Sequence, residues 1–314
     1  MRLFSGSGRC LPEGASWNKV LGILLMAIMP VMAASAAVAD TAVEVLDDLG
    51  NVIRLERSAT RVVALAPHIV EVVYAVGSGD RLVGAVDHSN YPEDAQTKPR
   101  VGSYVAFSTE AILRLQPDLV LAWYSGNDPQ RVAQIKALGI PVYYTEPRRL
   151  QDIGQTMEKI GVLTGSTTAQ QQRQNFDLVL KNLSDTYANR QPLTVFYQVW
   201  NKPLQTLSDE HMISDIIRLC GGRNVFAEAQ TLAPQISVES VLRLDPQVIV
   251  ASGMAEERPE WLDDWRRWPS LQAVKNEQLK FIPPDIIQRS TPRILDGAQA
   301  MCAHLQNARE FYYP

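Results

Sequence analysis

The sequence contains 314 residues, and its 30 lysine and arginine residues against 34 aspartate and glutamate residues give a net charge of −4 at pH 7. A mildly acidic chain has no electrostatic basis for binding nucleic acid, so that class of partner is excluded. The length is sufficient for two lobes, each with a hydrophobic core of its own.

The chain begins with a segment typical of export. Three basic residues precede an apolar run at residues 20–32, and small residues follow it up to Ala39. This order predicts a signal peptide over residues 1–39, cleaved after Ala39, and a soluble product. A membrane anchor is the alternative, but the run is short and contains Pro30. The segment carries three positive charges and one negative charge, so cleavage changes the net charge from −4 to −6.

The mature chain opens as an α/β lobe. Residues 42–55 predict a β-hairpin, residues 61–65 a buried strand, residues 67–76 a helix and residues 82–86 another strand. The alternation of strand and helix is typical of a parallel sheet covered by helices.

One stretch of the sequence occurs twice. Residues 108–122, STEAILRLQPDLVLA, recur as SVESVLRLDPQVIVA at residues 237–251, with seven of the fifteen positions identical. Each copy predicts a serine-capped helix that a proline ends, followed by a buried strand. Each copy is therefore half of a βαβ unit, and its repetition predicts an α/β fold of two lobes, each with a central, mainly parallel sheet flanked by helices.

A long polar helix is predicted between the lobes. It follows a helix at residues 151–163, Gly165 separates the two, and Ser166 can cap the second one. At 1.5 Å per residue it is about 35 Å long, enough to join the lobes as a single backbone helix. The predicted domains are an N-terminal lobe at residues 40–165, the interlobe helix at 166–190 and a C-terminal lobe at 191–314.

The mature chain retains two cysteines, Cys220 and Cys302. Pairing is the default in the oxidising compartment that export implies. Both residues are predicted on inward faces of helices, so the sequence predicts a Cys220–Cys302 disulfide, with two separate buried thiols as the alternative. Closing so long a loop contributes about 3–5 kcal/mol in the chain-entropy model.

Common enzyme motifs are missing from the sequence. Gly77-Ser78-Gly79 fails the dinucleotide-binding pattern at its third glycine, and the chain has no G-x-S-x-G elbow or phosphate loop. The four histidines have no metal-ligand spacing, which argues against zinc. A secreted α/β hydrolase stays an alternative, because a serine and a histidine can pair in space without a local motif.

Aromatic and charged residues follow several predicted strands, at the edge where ligands bind in open α/β sheets. Each aromatic alone is explained by packing at the rim. Their concentration on one edge predicts a cleft for a large, flat, partly apolar molecule. The predicted ligand-binding residues are Tyr91, Tyr104, Trp123, Tyr124, Trp200, Asp285 and Arg289.

Several motifs together resemble a known family. They include RVVALAP, DRLVGAVDHSNYP, E-x-x-L-x-L-x-PDLV-x-AW and QRSTPRILDGAQAMCAHL, and the resemblance extends over residues 41–306. It is to the periplasmic solute-binding proteins of ABC importers for iron-siderophores, haem and cobalamin, and most to the members that bind cobalamin (vitamin B12). It implies a monomeric periplasmic protein without enzyme activity or cofactor, which delivers its ligand to an inner-membrane ABC permease with ATPase subunits.

The resemblance also assigns site residues. Tyr104 stands where the cobalamin binders have tryptophan, and Trp123 matches the tryptophan of their A-W pair. Tyr91 matches a tyrosine of their D-Y-P motif. Asp285 and Arg289 match acidic and basic positions on the ligand side.

Two departures from the family pattern bear on the ligand. Ala233 stands before Pro234-Gln235, where the cobalamin binders have an aromatic residue, so one wall of the pocket differs. Haem binders place a tyrosine directly after a glycine, and Ser103 occupies that position here. Haem is therefore the second candidate ligand, and a ferric siderophore, which needs several basic residues, is the third.

The repeated stretch places Glu110 and Glu239 at matching positions in the first turn of each predicted helix. Complementation of the helix dipole explains an acid there without any partner. In the family, glutamates similar to these contact arginines of the two-fold permease. The resemblance therefore implies that Glu110 and Glu239 dock this protein on its permease.

Overall fold

The computed structural model describes residues 42–253 and 257–314. The predicted signal peptide, residues 1–39 with cleavage after Ala39, lies outside the described residues. Within the described part of the chain, no helix combines the length and the apolar character needed to span a membrane.

The first half of the described chain builds one parallel sheet. Strands β3 to β6 are all parallel and lie in the order β4-β3-β5-β6, whereas β1 and β2 form an antiparallel hairpin. Val62 of β3 lies opposite Leu119 of β5, and Val120 lies opposite Val142 of β6. The elements are β1 (Val43–Leu46), β2 (Val52–Leu55), β3 (Val62–Ala64), α1 (Pro67–Ala75), β4 (Leu82–Ala85), α2 (Thr109–Arg114), β5 (Leu119–Trp123), α3 (Pro129–Ala137), β6 (Val142–Thr145) and α4 (Leu150–Thr164).

The second half builds another parallel sheet, in the order β10-β7-β11-β12. Val248 of β11 lies opposite Val195 of β7, and Ile249 lies opposite Leu279 of β12. The elements are α5 (Ala169–Tyr187), β7 (Leu193–Gln198), β8 (Trp200–Asn201), β9 (Leu204–Gln205), α6 (Met212–Leu219), β10 (Gly222–Asn224), α7 (Val238–Leu244), β11 (Val248–Ala251), α8 (Gln272–Lys275), β12 (Leu279–Phe281), α9 (Pro284–Ile287) and α10 (Ile294–Tyr312).

The repeated stretch forms the same unit in both halves, which confirms the predicted fold class. Ser108 accepts a hydrogen bond from the main-chain N–H of Ala111 at 3.1 Å, and Ser237 accepts one from Ser240 at 3.2 Å. Each cap begins a short helix, α2 or α7. Each helix leads into an interior strand, β5 or β11, that has a parallel neighbour on both sides.

Alternate residues of the strands pack on opposite faces of each sheet. Val62 and Ala64 of β3, with Val195 and Tyr197 of β7, belong to one hydrophobic core that extends across both halves and includes side chains of α1, α4, α6 and α10. The intervening residues of the two sheets pack into two separate, smaller cores. The shared core joins the two sheets through a common layer of helices.

Helix α5 begins and ends close to the predicted limits. Ser166 Oγ accepts hydrogen bonds from the N–H groups of Thr168 and Ala169, both at 3.1 Å. Phe176 is the buried anchor in the middle of the helix, whose remaining surface is mostly polar. We propose domain boundaries on either side of this helix, with lobes at residues 40–165 and 191–314.

The structure contains the predicted disulfide between Cys220 and Cys302. Both cysteines are buried, and their Cα atoms are 4.7 Å apart across a sequence separation of 82 residues. The bond ties the end of α6 to the middle of α10.

Candidate functional site

The carboxyl ends of the first sheet are tied together by one buried amide, that of Asn127. Its Nδ2 donates hydrogen bonds to the carbonyl oxygens of Leu65 at 2.9 Å and Tyr104 at 2.6 Å. Its Oδ1 accepts from the main-chain N–H of Trp123 at 2.7 Å. Because these groups follow β3, precede α2 and end β5, Asn127 holds three segments in one arrangement.

This arrangement produces an aromatic cluster of His68, Tyr104 and Trp123. The Tyr104 and Trp123 ring centroids are 5.9 Å apart with the planes tilted by 41°, and the His68 ring meets Trp123 edge-on at 5.1 Å. Tyr104 remains 38% exposed and Trp123 is half-buried. The cluster therefore exposes aromatic surface, and the binding of a ligand by Tyr104 and Trp123 stays a prediction.

His68 is the buried member of the aromatic cluster, at the beginning of α1. Burial, with a smaller contribution from the charge of Arg289, lowers its pKa to about 4, so the ring is neutral at pH 7. Its Nε2 atom is buried and has no hydrogen-bond partner among the described residues.

A charged cluster surrounds Arg289 beside the aromatic cluster. Arg289 Nη1 donates to Glu71 Oε1 at 2.7 Å and to Asn90 Oδ1 at 2.8 Å, and Nη2 lies 2.9 Å from Asp285 Oδ1. Asn90 Nδ2 also donates to Asp285 Oδ2 at 3.2 Å. Glu71 and Asn90 come from the first half of the chain, and Asp285 and Arg289 from the second, so this cluster connects the two.

Glu71 is the buried acid of the charged cluster, with 3% of its surface exposed. Burial raises its pKa, and the hydrogen bond and charge of Arg289 oppose that effect. Arg293 lies 3.5 Å from the same carboxylate and stacks 4.0 Å above the ring centroid of Tyr91. Tyr91 thus adjoins the charged cluster rather than the aromatic one.

A cavity of about 210 Å³ opens next to Trp123. From the first half of the chain it is lined by Trp123, Ser125 and residues 146–148. The second half contributes an apolar wall and several polar groups. The apolar wall comprises Val199, Leu207, Met212, Ile213 and Leu232; the polar groups are Glu210, His211, Gln288 and Ser290.

Two predicted ligand-binding residues lie apart from the aromatic cluster. Tyr124 packs edge-on against Tyr144, with ring centroids 6.0 Å apart, and is 52% exposed. Trp200 begins β8 and donates from Nε1 to the carbonyl oxygen of Lys202 at 3.0 Å. Of the seven predicted ligand-binding residues, only Trp123 lines the cavity described above.

Other residues of the site were not predicted. Asn127 and His211 act through partners that the sequence does not identify, whereas Leu232 directly precedes the Ala233-Pro234-Gln235 segment where an aromatic residue was expected. The position of that segment was the sequence feature from which Leu232 could have been identified as a site residue. In the structure, Leu232 lines the cavity in this region with an aliphatic side chain.

The two glutamates of the repeated stretch are exposed at the beginnings of α2 and α7. Glu110 Oε1 lies 2.6 Å from Arg114 Nη2 of the same helix. Hydrogen bonds from its own main chain and from Ser237 lower the pKa of Glu239. Both helices thus carry negative charge at their N-terminal ends.

Comparison with known proteins identifies the fold family. The model of the periplasmic binding protein family matches residues 62–286. The vitamin B12-binding protein of Vibrio cholerae is 37% identical over 254 residues, covering 80% of this chain and 91% of that protein. That of Yersinia pestis is 35% identical over 250 residues, covering 79% of this chain and 87% of that protein.

Solved structures agree with this result. The periplasmic vitamin B12-binding protein BtuF of Vibrio cholerae superposes with a TM-score of 0.72 at 36% identity, covering 80% of this chain and 98% of that chain. The periplasmic haem-binding protein BhuT, in complex with two haems, gives a TM-score of 0.67 at 20% identity, covering 80% and 99%, and so shares the fold alone. The chain therefore belongs to the periplasmic binding protein family.

Proposed function

We propose that the protein captures cobalamin or a related corrinoid in the cleft between its two lobes. The observation that supports this most is the contact between Tyr104 and Trp123, of which Trp123 lines the cavity, because a corrin ring is a large, flat surface suited to aromatic contact. The relatives that are 35% and 37% identical are named vitamin B12-binding proteins, which favours the same ligand.

The proposed ligand contacts fall into two groups. Trp123 and Tyr104 stack on the face of the ring, with Tyr124 and Trp200 at the periphery of the same cleft. Arg289, Asp285 and Tyr91 contact polar groups at the edge of the ring. Arg289 and Asp285 already hold each other in place at 2.9 Å, so their side chains are ordered before a ligand binds.

The cavity of about 210 Å³ is smaller than the roughly 300–1,000 Å³ of a pocket that encloses a drug-sized ligand. We therefore propose that the lobes separate to admit the ligand, or that part of it stays outside the cavity. The hydrogen bonds from Arg289 to Glu71 and Asn90 are contacts that such a separation would break.

We propose that the protein acts in the periplasm, after removal of residues 1–39, as a monomer without enzyme activity or cofactor. Its proposed partner is an inner-membrane ABC permease with its ATPase subunits, which Glu110 and Glu239 contact. An importer needs a binding protein that releases an unchanged ligand, which is the role the family implies.

Haem is the second candidate ligand. The phenol of Tyr104, 38% exposed at the cleft, offers an oxygen ligand for haem iron, and haem-binding relatives share the fold. A ferric siderophore is a third candidate of the same importer class.

The test is a titration of the purified mature protein with cyanocobalamin, haemin and a ferric siderophore, followed by calorimetry and by tryptophan fluorescence. Saturable binding of cyanocobalamin, tighter than that of the other two, supports the proposal. Tight binding of haemin alone, with a tyrosinate-iron absorption spectrum, would transfer the function to haem. Ester hydrolysis without corrinoid binding would favour the hydrolase alternative.

A further inference from the structure

His211 occupies the position before α6 and caps that helix with its ring. Its Nδ1 atom accepts a hydrogen bond from the main-chain N–H of Ile213 at 3.1 Å. An imidazole nitrogen that accepts a hydrogen bond carries no proton. In the neutral ring the proton is then on Nε2, so the cap fixes the tautomer.

The ring stays neutral across the physiological range. Burial lowers the pKa of His211 to about 4, with a smaller contribution from the positive charge of Arg148. The residue is nevertheless half-buried and lines the cavity beside Trp123. A neutral, tautomer-fixed imidazole therefore faces this cavity.

Within residues 42–253 and 257–314, the ring of His211 makes its hydrogen bond through Nδ1. Its Nε2–H group has no acceptor among these residues. The amide of Gln288, also at the cavity, differs because its Nε2 donates to Ser252 and to the carbonyl oxygen of Gly253. His211 thus offers a donor that the protein itself does not use.

The charges around the cavity favour a neutral acceptor. Glu146 and Glu210 contribute two carboxylates, and Arg148, whose guanidinium lies 3.1 Å from Glu146, contributes one positive charge. A ligand carboxylate at this wall is repelled by the excess negative charge, whereas a carboxamide is not. Corrin rings carry carboxamide side chains around their rim, and haem carries carboxylates.

We propose that His211 is a ligand-binding residue whose Nε2–H donates a hydrogen bond to the carbonyl oxygen of a rim carboxamide of the ligand. The inference rests on the proposed corrinoid function and adds to it the group by which the second lobe recognises an amide.

The central variant is His211→Ser. Serine caps α2 and α7 in this chain through Ser108 and Ser237, so it preserves the cap of α6 while its short side chain cannot reach into the cavity. We expect an unchanged melting temperature and an affinity for cyanocobalamin about 3- to 10-fold lower, as for the loss of one neutral hydrogen bond. His211→Asn, a second capping variant, should behave in the same way.

The control is Ser237→Ala, which removes the matching cap of α7 and should lower stability without changing affinity. The ligand series compares cyanocobalamin with its derivative in which one rim amide is hydrolysed to a carboxylate. For wild-type protein we expect at least one such monoacid to bind more weakly than cyanocobalamin, because Glu146 and Glu210 repel its carboxylate, and we expect His211→Ser to weaken the binding of both ligands.

Failure of the inference and failure of the proposed function give different results. Wild-type protein that binds no cyanocobalamin overturns the function. Wild-type protein that binds it, with folded His211→Ser and His211→Asn variants of equal affinity, overturns the role of His211 alone. Wild-type affinity should also stay constant between pH 5 and 8, and a change near pH 6.5 would contradict a ring that is neutral throughout.

Discussion

At the scale of single residues, Asn127 shows how the site is held together. Its side-chain amide forms hydrogen bonds with the main chain of Leu65, Tyr104 and Trp123, and the most distant of these partners is 62 residues away in sequence. The position of Trp123 could be predicted because it follows a recognisable strand, and that of Tyr104 because it precedes a recognisable capped helix; their contact with a ligand stays a prediction. Asn127 and His211 could not, because their roles depend on tertiary contacts that no local pattern encodes.

Replacing Asn127 by alanine should weaken both folding and binding. The change leaves the buried carbonyl oxygen of Leu65 and the N–H of Trp123 without partners. We expect the free energy of unfolding to fall by about 2–3 kcal/mol in urea titrations, within the range for unsatisfied buried groups. An unchanged unfolding midpoint would show that water replaces the amide at no cost.

Removing Trp123 or Tyr104 should reduce ligand affinity directly. Each Ala variant is expected to lose about 1–3 kcal/mol of binding free energy, or roughly 5–150-fold in affinity, for the apolar contact removed. Phe311→Ala is the matched control, since Phe311 is an exposed aromatic on the C-terminal helix. If the Trp123→Ala, Tyr104→Ala double variant binds cyanocobalamin unchanged in calorimetry, the cleft assignment is wrong.

At the scale of elements, the hairpin, strands β3, β4, β5 and β11, and helices α1, α4 and α5 agree with the sequence within a few residues. Their hydrophobic periodicity and the serine, glycine and proline residues at their ends are local features, so these elements can be recognised from a single sequence. The loop from β9 to α6, which supplies Leu207 and His211 to the cavity, has no such period and was not predicted as part of the site.

Helix α1 gives the fold a specific sensitivity to acid through His68. Its pKa is about 4 in the folded protein, against an ordinary value of about 6.5, because burial disfavours the charged ring. Between these values the unfolded chain binds more protons, so stability increases with pH from 4 to 6.5 and is lost as the pH falls.

The His68→Gln variant should therefore show a flatter dependence of unfolding free energy on pH. The contribution of His68 over this window is at most about 3.4 kcal/mol, from 1.36 kcal/mol per pKa unit. Urea titrations of wild type and variant at pH 4.5, 5.5 and 7 measure the difference. Parallel curves for the two proteins would contradict the low pKa.

At the scale of the whole molecule, the Cys220–Cys302 disulfide closes a loop of 82 residues within the second half of the chain. Such a loop corresponds to about 3–5 kcal/mol of stabilisation in the chain-entropy model. A double serine variant should lose that amount in urea titrations while keeping its affinity for cyanocobalamin, because neither cysteine lines the cavity. Equal stability of the reduced and oxidised forms would refute the expectation.

The repeated units also give the molecule two similar acidic positions, one beside each sheet. Glu110 pairs with Arg114 at 2.6 Å, but their side chains are 77% and 72% exposed, so the pair contributes little to stability. Glu239 is held by hydrogen bonds at the N-terminus of α7. Dipole complementation accounts for an acid in each helix, yet an acid at a neighbouring first-turn position would serve equally well.

Docking on a two-fold permease accounts for the equivalence of the two positions, and it predicts a separation of effects. The double variant Glu110→Lys, Glu239→Lys should keep its ligand affinity and nearly all of its stability, while its binding to the reconstituted permease weakens, most at low salt. Glu310→Lys is the control. Glu310 is exposed and lies two residues before Tyr312. The Tyr312 hydroxyl donates to the carbonyl oxygen of Gln247, which directly precedes β11. Glu310 is therefore near the amino ends of the strands of the second sheet, whereas Glu239 begins the helix that precedes β11. A contact between the two glutamates and arginines of the permease cannot survive the reversal of both charges. Unchanged permease binding and transport in the double variant would therefore contradict docking and leave complementation of the helix dipole as the explanation for both glutamates.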